Sequence, residues 1–154
     1  MKRRLRVAAY AVCIRDDQIL LARSPAADGG HEWVLPGGGM DHGEDPLDTV
    51  VREVREETGY TVEMTALLGV DSLRRAHGPG RLGTRVDHHS LRFVYEGRIT
   101  GGTLRHEVDG STDLAAWQPL VDLPGLRRVP LIDTALRLWH ERPATGHVPA
   151  RPGG

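Results

Sequence analysis

Three glutamates, Glu53, Glu56 and Glu57, follow closely on the run Gly37-Gly38-Gly39. They lie three and four residues apart, which on a helix sets their side chains beside one another. Like charges at that spacing weaken a helix by roughly 0.2–0.5 kcal/mol per pair. A solvated charged face, with Arg52 and Arg55 as local partners, is the plain reading. The glutamates converge on one side, however, and the glycines before them let backbone carbonyls come close. Together these point to a hard divalent cation, which removes the repulsion. Mg²⁺ prefers oxygen ligands, typically one or two carboxylates plus substrate phosphates.

The element that must position them is a helix with clear ends. Asp45 before Pro46 is an N-cap acceptor followed by the residue favoured at the first helical position. Asp48 adds negative charge to the first turn, where the macrodipole favours it. Gly59 suits a left-handed C-terminal cap. The helix therefore runs from about Pro46 to Thr58. At about 100° per residue, Leu47, Val50, Val51 and Val54 form a narrow buried face, and the glutamates fall on another.

Around this helix the chain reads as short strands. Residues 5–14 alternate as a strand, and 18–23 pair back across a turn at Asp16-Asp17. Residues 24–31 are a loop, and 32–35 a short strand running into Pro36. Residues 61–70, 89–98 and 113–120 are further extended stretches. Residues 71–86 hold Gly78, Pro79, Gly80 and Gly83 and read as a mobile loop. Four arginines there, Arg74, Arg75, Arg81 and Arg85, make it the expected selector of substrate. His88-His89 open the next strand, where a substrate contact or a surface role is expected. Leu131, Ile132, Ala135, Leu136, Leu138 and Trp139 mark a second helix, Pro130–Glu141. The expectation is one domain over 1–141, then a Pro/Gly-rich disordered tail over 142–154.

Composition excludes some classes. The chain has 154 residues, 39% hydrophobic and 27% charged, with net charge -1. That suits one soluble domain and offers no single-signed field for nucleic acid or a membrane surface. No apolar run approaches the roughly 20 residues that span a bilayer. The single Cys13 forbids an internal disulfide and fits a reducing cytoplasm. It sits in an apolar strand pattern, as a buried small residue rather than a nucleophile.

The spacing itself matches a family. Gly38, five residues, Glu44, seven residues, Arg52-Glu53-Val54, one residue, Glu56-Glu57, one residue and Gly59-Tyr60 resemble the complete Nudix box. The one departure is Tyr60, where the family usually has an aliphatic residue. Trp33-Val34-Leu35-Pro36-Gly37-Gly38 resembles the usual lead-in. The resemblance implies an α+β fold, an α/β/α sandwich with a mixed central sheet. It implies a Mg²⁺- or Mn²⁺-dependent hydrolase cleaving the diphosphate linkage of a nucleoside diphosphate joined to another moiety. By resemblance, Glu53 and Glu57 are the main metal ligands, and a backbone carbonyl at Gly37 or Gly38 completes the site. Glu56 is a further ligand or the base that deprotonates water. Arg52 orients a box glutamate, while Glu44 positions loop and helix. Arg23 is a phosphate-contacting candidate, and Glu107, ahead of Asp109 and Asp113, a further catalytic acid.

The partner implied is a small-molecule nucleotide substrate, with no nucleic acid and no membrane; a homodimer is left open. The alternative is a catalytically silent nucleotide sensor on the same scaffold, but sensors often lose box glutamates and all are present here. An isomerase reading needs a cysteine near the metal, which Cys13 does not supply. The proline that often follows the box in ADP-ribose hydrolases would fall near Arg75, and the nearest is Pro79, which weakens that substrate. Nucleoside triphosphates, nucleotide sugars and dinucleoside polyphosphates stay open.

Overall fold

In the computed structural model, which describes residues 1–77 and 85–149, strand β1 (Lys2–Val12) runs through the middle of the molecule. Its alternation serves two layers. Tyr10 and Val12 face one apolar cluster, and Ala9 and Ala11, with Cys13 just beyond, face the other. After β1, β2 (Ile14–Arg15) and β3 (Gln18–Pro25) form a hairpin closed by Asp16 and Asp17, both at positive φ. That conformation suits the two-residue turns of tight hairpins, where aspartate is tolerated.

β4 (His31–Val34) pairs with β3, and β5 (Gly37–Gly39) pairs antiparallel with β1. Helix α1 (Pro46–Thr58) follows, with the expected ends. Asp45 caps it, Asp48 completes a capping box, and Gly59 closes it in the left-handed conformation. β6 (Tyr60–His77) and β7 (Val86–Gly102) form a long antiparallel pair, and β7 runs parallel to β1. β8 (Leu114–Pro119) joins β3, a 3₁₀ turn spans Leu120–Gly125, and α2 (Pro130–Glu141) ends the fold.

The strands make two sheets. One is mixed, in the order β5-β1-β7-β6; the other is antiparallel, with β3 between β4 and β8 and β2 closing its hairpin. Val50 and Val54 of α1 pack on one side with Leu20, Tyr60 and Val62. Ile132, Ala135 and Leu138 of α2 pack on the other with Ile19, Leu21 and Leu35. The result is the expected α+β sandwich. No helix among the described residues is long and apolar enough to cross a membrane.

Two expectations need correction. Residues 71–77 are strand, not loop. They pair residue by residue with 86–92, and ion pairs from Arg74 to Asp87 and from Arg92 to Asp71 bind the two strands. The strands are separated by residues 78–85, of which 78–84, the part of the expected loop with Arg81, lie outside the described residues. The tail also departs from expected disorder as far as residue 149. The Val70 N–H donates to the Gly146 carbonyl at 2.9 Å, Val148 packs against the α2 cluster, and Arg137 donates to the Pro149 carbonyl at 2.8 Å. Gly69 makes this docking possible, since a Cβ there would stand 2.3 Å from the Gly146 oxygen.

Candidate active site

The glycine strand and α1 build the site together. Gly37 has φ 151°, and a Cβ on it would stand 2.2 Å from the Ala9 carbonyl oxygen. No residue with a side chain fits there. A Cβ on Gly38 would stand 2.7 Å from the Glu53 carboxyl carbon. Backbone and carboxylate therefore approach more closely than any other residue would allow.

The three glutamates sit at three depths. Glu57 is buried, 2% exposed, and its Oε2 accepts the Gly37 N–H at 3.2 Å. Burial pushes its carboxyl up, and the neighbouring Glu53 and Glu107 carboxylates push it further. Glu53 is half-buried, and burial raises its carboxyl too, against the pull of Arg52. Glu56 is exposed, with 49% of its side chain open to water.

Arg52 holds this arrangement. Its Nε and Nη2 donate to the two Glu44 oxygens at 2.8 and 2.9 Å. Nη1 donates to Glu53 at 3.0 Å and reaches Glu56 at 3.4 Å, and Nη2 also donates to the Gly39 carbonyl at 3.2 Å. Glu44 in turn accepts from the Asp41 N–H and the Thr49 hydroxyl. These bonds, Arg52 foremost, draw the Glu44 carboxyl down to about 2. A depressed carboxyl stabilises the fold above its unfolded value of 4.5, and that contribution is lost as pH falls towards 2. The expected result is that Glu44→Gln flattens the acid limb of a urea-midpoint profile between pH 4.5 and pH 2. An acid limb as steep as in the unsubstituted protein counts against the clamp.

Glu107 is brought close enough to act on Glu57 through space. Its Oε2 accepts the Thr112 hydroxyl at 2.7 Å, a bond within the loop before β8, and Thr112 lines the pocket. Arg23 is not brought in. It forms a two-pronged ion pair with Asp113 at 3.0 and 3.1 Å, and its neighbour Ser24 lines the pocket instead. The pocket beside Glu53 and Glu57 has a volume of about 310 Å³, and Arg6, Tyr10, Ser24 and Thr112 share its lining. Sequence reasoning missed Arg6. The available signal was parity, because Arg6, Ala8 and Tyr10 share one face of β1.

Cys13 is buried, and burial pushes its thiol up to about 12, which rules out a resting thiolate. Trp117 is a packed wall: its Nε1 donates to the Tyr60 hydroxyl at 3.0 Å, and Arg15 stacks on its ring at 4.3 Å. Tyr60, the departure from the box, is therefore used in packing.

The residues fit a hard cation. Two carboxyls raised by burial face a glycine strand with no Cβ between them. Among the described residues, no three His, Cys, Asp or Glu side chains stand close enough to cage an ion unaided. A cation here would draw its other oxygens from backbone, water or substrate, as Mg²⁺ does.

Comparison with known proteins agrees with this geometry. A NUDIX domain family matches residues 4–138. Over 110 residues the chain is 34% identical to an 8-oxo-dGDP phosphatase of Homo sapiens, covering 70% of this chain and 30% of that protein. Over 115 residues it is 43% identical to a Bacillus subtilis protein assigned provisionally as an ADP-ribose pyrophosphatase, covering 73% of this chain and 49% of that one. The chain thus spans between about a third and a half of the length of these relatives. A solved MutT NUDIX hydrolase from Burkholderia pseudomallei superposes with a TM-score of 0.66 at 29% identity, over 88% of this chain and 98% of that one. With the family matched across most of its length and every fixed position of the box in place, the chain belongs to the Nudix family.

Proposed function

We propose that the protein is a divalent-cation-dependent hydrolase that cleaves the diphosphate linkage of a nucleoside diphosphate joined to another moiety. The observation that carries this reading is the buried Glu57 carboxyl, set beside Glu53 at a glycine strand that leaves no room for a side chain. Burying a second carboxyl next to a first costs stability unless something positive joins them.

Glu53 and Glu57, with a carbonyl of Gly37 or Gly38, are the groups that would hold Mg²⁺ or Mn²⁺. When bound, such a cation supplies Lewis-acid neutralisation of phosphate oxygens and lowers the pKa of water. The chain's own residues do the rest. Arg52 fixes Glu53 and steadies Glu56. Glu56, on the water-facing side, takes the proton from the attacking water; Glu107, on the loop before β8, is the second candidate for that task. The water oxygen forms a bond to one phosphorus, the bridging P–O bond breaks, and the leaving phosphate departs with that electron pair.

The relatives named above act, by their names, on an oxidised nucleoside diphosphate and on ADP-ribose. They support the compound class without choosing within it. The test is a panel of nucleoside diphosphate derivatives with Mg²⁺ or Mn²⁺ in ¹⁸O-labelled water. Two products split at the diphosphate, one carrying ¹⁸O, support the reading. Tight nucleotide binding without turnover across the panel supports a silent sensor instead.

A further inference from the structure

Arg6 differs from the other arginines of the site. Arg52 and Arg23 are each committed to carboxylates. Arg6 lines the same pocket as Glu53 and Glu57, yet among the described residues its side chain has no hydrogen bond or ion pair. Its Nη2 lies 3.3 Å from where a Cβ on Gly39 would sit, so the guanidinium hangs over the glycine strand.

The sheet extends this charge away from the pocket. Two residues before Arg6, Arg4 stands opposite His88, and His88 stands opposite Arg75 on β6. Residues two apart on a strand share a face, about 6.7 Å apart, and neighbouring strands lie about 4.8 Å apart. Arg6, Arg4 and Arg75 therefore share one exposed face, continuous with the pocket. The acids nearby do not neutralise it. Asp87 points to the opposite face and is bound by Arg74, and Asp71 is bound by Arg92.

We propose that Arg6, Arg4 and Arg75 form a track for phosphates beyond the diphosphate that is cut. On this basis the protein prefers nucleoside compounds with three or more consecutive phosphates over sugar-linked diphosphates. The inference rests on the hydrolase reading above for its substrate class. A guanidinium fork matches phosphate oxygens, and each added phosphate brings charge that a sugar hydroxyl lacks. Three guanidinium groups on one face, with no carboxylate partner among the described residues, meet such a chain.

The test is calorimetric titration of inorganic pyrophosphate and inorganic tripolyphosphate at fixed excess Mg²⁺. The unsubstituted protein is expected to bind tripolyphosphate about tenfold more tightly, the size of one charge-assisted contact. Arg4→Gln combined with Arg75→Gln should erase most of that margin, while Arg6→Gln should weaken both ligands. Both positions of the double variant are exposed, and an unchanged melting temperature checks its fold. Equal affinities in the unsubstituted protein, or a full margin kept by the folded double variant, overturns the track. The hydrolysis panel is read separately. No turnover of any diphosphate compound removes the activity reading, while the tripolyphosphate margin still decides whether the track binds phosphate.

Discussion

Replacing Glu57 by glutamine is expected to lower turnover on the order of a thousandfold, about 4 kcal/mol of transition-state stabilisation, with the fold intact. Glutamine keeps the shape and still accepts the Gly37 N–H, but it offers a hard cation no charge. Glu53→Gln should behave alike, because Glu53 closes on Gly38 from the same helix face. Near-normal turnover in both variants, at saturating substrate and limiting Mg²⁺, would remove the metal-ligand assignment.

The same substitution should stabilise the protein without metal, and the sign follows from proton linkage. Burial raises the Glu57 carboxyl above its ordinary 4.5, so the folded protein holds a proton that the unfolded chain has released. The Glu57 contribution to metal-free stability is then greatest below about 4.5 and falls as pH rises towards the folded value. Glutamine does not titrate, so that slope disappears. At pH 8 with a chelator, Glu57→Gln should melt a few degrees above the unsubstituted protein, since about 1 kcal/mol moves Tm by roughly 2–4 °C at this size. At pH 4 the two should converge. A variant that melts lower at both pH values would show that Glu57 is an ordinary structural acid.

Local signals made much of this site legible in the sequence. Asp45, Pro46 and Gly59 act within one helical turn of their own positions, and α1 begins and ends where they say. The box spacing likewise fixed which glutamates meet the glycine strand. Depth was not legible. Helical geometry assigns a direction around the axis but does not say what covers it. Glu57 is buried and Glu56 exposed because β5 lies over one and water over the other. That pairing of β5 with β1 joins residues about thirty apart in sequence.

Longer-range pairing also explains the misread arm. Gly78, Pro79, Gly80 and Gly83 are strong turn signals, and they pulled the whole of 71–86 towards a loop. What makes 71–77 a strand is the pairing with β7 and, beyond it, β1, together with cross-strand ion pairs that local propensity does not contain. Arg23 was misplaced for a related reason. Its partner Asp113 arrives from ninety residues away, on the loop before β8. Arg6 went unnoticed because a charged residue near a chain start looks unremarkable until β5 and β7 close around it.

Arg52→Lys is expected to lower kcat about a hundredfold, although the charge is kept. Arg52 contacts two Glu44 oxygens, Glu53, Glu56 and the Gly39 carbonyl at once. A planar fork spans such a set, whereas an ammonium is a single compact point and serves fewer partners. Loss of the fork frees Glu53 to turn from Gly38 and Glu56 to wander in water. Misplacement of about 1 Å at a reacting centre costs on the order of a hundredfold. KM should change much less, since Arg52 is engaged with protein groups and not with the pocket. Stability should fall as well, because Glu44 is left with an imperfect partner. A helper that only stabilises would predict the reverse pattern: a lower melting temperature with kcat restored once the assay is cooled. Full kcat in the lysine variant at a temperature where it is folded would show that charge alone suffices at residue 52, and that the fork does not set the geometry of Glu53 and Glu56.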